Sequence, residues 1–176
     1  RPKRRGVNRW RKILRRNLNA CQPKFSFQHM VLSWLGAFIG ISILGYLTAS
    51  THYPFIAAPL GATAVLVFGV PDSPLAQPRN IVGGNMVAAI ICVICVALWG
   101  TAPWVMAIAV ATTIKLTQLM RMVHPPAGAV ALLGVLNHAS WPYIFTPVLV
   151  GSVVIVICTV LYSHVAPGRT YPRHWI

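Results

Sequence analysis

From Met30 to Ala49 the chain runs for 20 residues without a charged side chain. At 1.5 Å per residue a helix of that length matches the hydrocarbon thickness of a bilayer, about 30 Å. Further apolar runs extend from Ser50 to Val70, Ile81 to Trp99, Trp104 to Met120 and Ile144 to Val165, with a shorter one after His124. Inside a bilayer no water is available to pair with backbone N–H and C=O groups, so such runs must close their hydrogen bonds within helices. The expected fold is therefore all-α, a polytopic membrane protein. Composition agrees: 56% of the 176 residues are hydrophobic and 9% charged, where a soluble domain carries about 25% charged residues.

Two of these six segments are not ordinary spans. Pro54 and Pro59 interrupt the second, and Gly61 follows; the fifth opens on His124, Pro125 and Pro126 and ends by Leu136 or Asn137. Both read as short, broken helices. Between the second and third segments, Pro71 to Asn80 holds three prolines and reads as a loop. The two short helices also begin alike. Pro59 to Leu66 lies on Pro126 to Leu133 at a constant offset, with Pro, Gly, both Ala and the final Leu identical. The repeat implies a duplication of three segments, and an odd number makes the second copy enter the membrane upside down. Two inverted three-segment repeats with discontinuous helices at segments two and five are an architecture of secondary transporters.

Charge orders the segments. Fifteen Lys and Arg stand against one acid, Asp72, for a net charge of +14, and ten of the fifteen lie between Arg1 and Lys24. Arg5 to Ala20 reads as an amphipathic helix, with Val7, Trp10, Leu14 and Leu18 on one side, and Pro23 closes it. Next to an apolar body such a tail binds anionic lipid on the inner leaflet rather than nucleic acid. The chain divides on this reading into a basic tail, 1–24, a transmembrane domain, 25–166, and a short cytoplasmic tail, 167–176. With six crossings, Arg79, the Lys115 to Arg121 end, Arg169 and Arg173 all fall inside, as the positive-inside rule requires. A four-span count would put Arg79 outside.

The starts of segments two and five carry the expected site. A helix start offers unpaired N–H groups and partial positive charge, both suited to an anion. Small residues there, Gly61, Ala62 and Thr63 in one copy and Ala127, Gly128 and Ala129 in the other, leave the backbone uncovered. His124 and Thr63 supply polar side chains, while Gln77, Arg79, Asn80, Lys115 and Arg121 are candidates for the pathway. Asp72 is expected to pair with Arg79 across the loop. A single acid excludes paired carboxylates, no nucleophile, phosphate-loop or dinucleotide motif is present, and neither a metal site nor a cofactor is expected. Cys92 and Cys95 lie in an apolar run and read as packing residues.

Three motifs in order, Ala58-Pro-Leu-Gly-Ala62, Ser73-Pro-Leu-Ala-Gln-Pro-Arg-Asn80 and His124-Pro-Pro-Ala-Gly128, resemble the HPP family of integral membrane proteins over about residues 25–165. Plant chloroplast members are implicated in nitrite transport, and members are usually described with four transmembrane helices. The resemblance implies nitrite or a similar small monovalent anion as substrate, without enzymatic activity. Alternatives in other classes are a passive anion or small-solute channel and a non-transporting membrane module. Six short segments enclose little core, so a homo-oligomer is expected. A bacterial cytoplasmic membrane is the first expectation for location and a chloroplast envelope the second.

Overall fold

A computed structural model describes residues 24–51 and 57–175. The amphipathic helix expected over Arg5 to Ala20 lies outside them. Six helices follow one another: α1 (Phe27–Thr51), α2 (Ala58–Gly69), α3 (Pro78–Trp99), α4 (Pro103–Leu119), α5 (Pro126–Leu136) and α6 (Trp141–Val165). Among the described residues there is no strand. Three of these helices, α1, α3 and α6, are long and apolar enough to cross a membrane, and α2 and α5 are the short apolar pair. By contacts the chain separates into residues 1–31 and 32–176. The packing described below is that of residues 32–176.

Proline sets where helices begin. It occupies the first or second position of α2, α3, α4 and α5, where its missing N–H would have had no partner anyway. For this reason α3 starts at Pro78, inside the stretch expected to be loop, and a single 3₁₀ turn, Pro74–Ala76, precedes it. The ends are set by left-handed residues. Gly100 closes α3 with φ 75°. Arg121 and His138, at φ 54° and 53°, close α4 and α5. In each of these last two, paired bonds run back into the final turn: Arg121 to the Gln118 carbonyl and Met122 to Thr117; His138 to Val135 and Ala139 to Gly134. This is the Schellman arrangement, in which glycine usually holds the left-handed position.

α3 lies at the centre. Its outer half joins α4, α5 and the start of α6 in a core of Ala88, Cys92, Val105, Ala109, Val130, Val135 and Val148. Its first turns join α1, α2 and the second half of α6 around Leu44, Leu60, Val67, Phe68, Ile81 and Ile155. On α1 only Gly36, Gly40 and Leu44 are buried. Both glycines face the Phe68 ring; a Cβ at Gly36 would stand 2.6 Å from it and one at Gly40 3.0 Å. α6 is kinked near its start: Thr146 is non-helical and Pro147 stands inside, where it cannot donate to the preceding turn.

Four cations, Arg79, Arg121, Arg169 and Arg173, belong to connections that meet at one end of the bundle. Arg79 Nη2 donates to the Met120 carbonyl at 3.2 Å and Asn80 Nδ2 to that of Val123 at 2.9 Å. Gln77 Oε1 accepts from the Arg173 and His174 N–H groups at 2.9 and 3.2 Å. Arg79 therefore shares an end with Arg121 and the C-terminal tail. The pairing expected between Asp72 and Arg79 is not formed. Asp72 instead meets Arg173 at 2.7 Å, with both side chains at least half exposed, because the tail folds back beneath the loop. An exposed pair of this kind contributes about 0–1 kcal/mol.

Candidate functional site

His124 stands in the connection between α4 and α5, just before the proline pair, and is 2% exposed. Its two ring nitrogens are both engaged. Nδ1 lies 2.9 Å from the Leu75 carbonyl and Nε2 lies 2.9 Å from Thr63 Oγ1. A carbonyl only accepts, so Nδ1 carries the hydrogen; in a neutral ring Nε2 is then an acceptor, and the Thr63 hydroxyl donates to it. The same hydroxyl is 3.2 Å from the Pro59 carbonyl one turn back. Adding a proton to Nε2 would turn this bond around: the ring would donate to Thr63, and Thr63 to Pro59. Burial pushes the His124 pKa down to about 4, opposed by the Leu75 hydrogen bond, so the neutral ring is the resting form.

Four segments build it. α2 supplies Thr63, fully buried, the 3₁₀ turn supplies the Leu75 carbonyl, and Asn80 at the start of α3 fixes Val123 beside the histidine. α3 also presents Gly84, where a Cβ would stand 2.8 Å from His124 Cβ and 3.0 Å from the Met122 carbonyl oxygen. Only a residue without a side chain allows this approach.

The helix starts themselves differ from expectation. The Ala127 N–H donates to the His124 carbonyl at 2.9 Å, that of Gly128 to Pro125 at 3.1 Å, and that of Leu60 to Ala57 at 2.9 Å. The N–H groups of Leu60, Ala127 and Gly128 are therefore used by tight turns of the chain itself. Gly61 and Ala62 are exposed, Ala127 is buried, and Gly128 and Ala129 are half-buried. A Cβ at Gly61 or Gly128 would meet nothing within 4 Å. Thr63 and His124 are brought together across 61 positions; the small residues beside them border open space.

Four of the five pathway candidates also gather. Gln77, Arg79, Asn80 and Arg121, with Pro74 and His174, line a depression of about 190 Å³. Lys115 is exposed on α4 and does not line it. Gln77 is 4% exposed and fully used, since Nε2 donates to the Pro71 and Ser73 carbonyls at 3.1 and 2.8 Å while Oε1 holds the tail.

Two buried groups escaped the sequence reading. Asn85 and Ser152, both 0% exposed, join α3 to α6 at 3.0 Å, with Asn85 Oδ1 unpartnered; an asparagine amid an apolar span was the available signal. Arg169, 8% exposed, donates through Nη2 to Ser33 Oγ at 2.7 Å and the Phe68 carbonyl at 2.6 Å and lies over the Tyr162 ring. Burial lowers its pKa, opposed by Tyr162 and Asp72. Nothing local in the tail marks it for burial. Among the described residues no group of His, Cys, Asp or Glu side chains is placed to hold a metal ion.

Comparison with known proteins places this geometry among membrane proteins. Residues 22–172 match the family described as HPP, transmembrane region. Two transmembrane proteins of Dictyostelium discoideum are similar, at 38% and 35% identity over 155 residues, covering 81% of this chain and 50% and 54% of theirs. The chain thus spans about half the length of these relatives. No solved structure matches it.

Proposed function

The chain belongs to the HPP family of integral membrane proteins, and from this premise we propose that it moves a small monovalent anion, nitrite first, past the crossing of α2 and α5. The observation that carries the reading is the buried contact between Thr63 and His124, 2.9 Å apart, which joins the two short helices through a group able to hold a proton. The single acid, Asp72, is exposed and paired with Arg173. A cation carrier would need an intramembrane carboxylate, whereas a chain without one suits an anion. The short helices at segments two and five support the inverted three-segment arrangement. Arg79 and Arg121 stand at the inner mouth, where positive charge concentrates the substrate.

In this reading the small residues Gly61, Ala62, Thr63, Ala127, Gly128 and Ala129 form the wall past which the anion moves, and His124 couples its passage to a proton. A bacterial cytoplasmic membrane is the proposed location, with a chloroplast envelope as the second setting, and the working unit is a homo-oligomer with anionic lipid at the basic tail. Nitrite uptake into proteoliposomes, with and without an inward proton gradient, tests the function. Saturable uptake that the gradient accelerates and His124→Ala loses is expected. Gly128→Leu should block uptake while the protein still inserts and folds, since its side chain enters open space. Unsaturable uptake indifferent to the gradient would mark a passive channel, and absence of flux in folded protein would leave a membrane module that does not transport.

A further inference from the structure

The depression at the inner end is built from three connections that sequence keeps far apart: the turn before α3, the Arg121 end of α4 and the C-terminal tail. Its lining holds the guanidinium groups of Arg79 and Arg121 and the imidazole of His174, and no carboxylate. The single acid of the chain, Asp72, is engaged by Arg173 at 2.7 Å and does not line the depression. Arg79 is held in place without being used up: Nη2 donates to the Met120 carbonyl, and Nε and Nη1 remain available. Arg121 occupies the left-handed position that closes α4, φ 54°, where glycine would cost the backbone least. That end of α4 therefore carries a cation at a position where the fold alone would favour its absence.

We propose that this depression is a binding site for a phosphate-type oxyanion, gripped between Arg79 and Arg121. Guanidinium groups bind such anions through paired N–H donors, which a single monovalent ion such as nitrite does not require. At about 190 Å³ the space takes a phosphate group together with part of what it is attached to. It opens at the end of the bundle where the arginines gather, so the phosphate reaches it as a free oxyanion or as the headgroup of an anionic lipid lying against the membrane surface. Asn80 Nδ2 is committed to the Val123 carbonyl and Gln77 to the loop and tail, so specificity rests on the two arginines. The lining contains neither Thr63 nor His124, and occupancy is read by binding, so the outcome does not depend on whether nitrite is transported.

The test uses the full chain in phosphatidylcholine nanodiscs. Thermal unfolding and isothermal titration are followed with inorganic phosphate in one arm, with chloride at equal ionic strength as the control, and with phosphatidylglycerol doped into the disc in the other. Arg121→Gly is the decisive variant, since it removes the cation while relieving the left-handed strain. Expected are saturable stabilisation in at least one arm and a loss of at least tenfold in affinity in Arg121→Gly and in Arg79→Gln. Arg173→Gln, a neighbouring cation outside the lining, should change affinity less than twofold. Response to inorganic phosphate identifies a free oxyanion site, and response to phosphatidylglycerol alone a headgroup site. No stabilisation in either arm, or equal affinity in Arg121→Gly, would overturn the proposal.

Discussion

The two short helices open on nearly the same residues and end in different surroundings. α2 leaves Gly61 and Ala62 exposed, buries Thr63, and relaxes into a wide π-helical stretch over Val65–Gly69. α5 remains α-helical from Pro126 to Leu136 and buries Ala127, Val130, Ala131, Gly134 and Val135 among α3, α4 and α6. What precedes each phrase differs too: Ala57 before α2, and His124 with a second proline before α5. A duplicated phrase thus gives a duplicated element, but the titratable group comes with only one copy. The other copy contributes the hydroxyl that answers it.

Substitutions can break this asymmetry in order of severity. His124→Ala should cost the most, about 3 kcal/mol, because it empties a buried site and leaves the Leu75 carbonyl and the Thr63 hydroxyl without their partner. Unfolding in mixed micelles measures this, and an unchanged midpoint would mean that the histidine does not tie α2 to α5. Gly134→Val should cost about 2 kcal/mol by overpacking, since even a Cβ there would run into Cys92 Sγ and come within 3.1 Å of the Tyr143 ring. The same unfolding assay reads it, and a neutral result would show that α5 has room to shift.

Thr63→Val keeps the shape and removes the hydroxyl, so about 1 kcal/mol should be lost, with Thr63→Ser close to the parent. If the proton on His124 is coupled to uptake, Thr63→Val should also change how nitrite flux responds to the proton gradient while Thr63→Ser does not; identical gradient responses in both would separate the hydroxyl from coupling. At the small end, Gly61→Ala and Gly128→Ala meet open space and should each stabilise by about 0.5 kcal/mol. A loss of stability in only one of them would show that the two helix starts, though alike in sequence, are not equally unconstrained.

Much of this fold could be read from residues alone because its local determinants are strong. The apolar runs marked α1, α3, α4 and α6 to within about three residues, and proline at the head of α2 and α5 marked both as short. The clustering of Lys and Arg indicated which connections share an end. Thr63 and His124 both stood out in the sequence as polar groups beside proline-led apolar turns, and the structure brings them into contact. Less legible was what these groups do. Helix starts suggested free N–H donors, yet Ala127, Gly128 and Leu60 give theirs to the preceding carbonyls, because the proline-led turns close tightly on themselves. Asp72 was assigned to Arg79 by nearness in sequence, whereas its partner, Arg173, arrives from 101 positions away.

The sequence by itself determined that the chain is helical and membrane-embedded and where its helices start; these follow from backbone desolvation, proline geometry and hydrophobic run length, which act within a few residues. Tertiary structure decided the pairing of His124 with Thr63 and the Leu75 carbonyl, the approach of Gly84 that only a missing side chain permits, and the burial of Arg169 under α1 and α2. It also decided that Arg79, Arg121 and His174 share one depression. Each of these joins segments distant along the chain, and such contacts are fixed by the shape of facing surfaces, which no short-range pattern records.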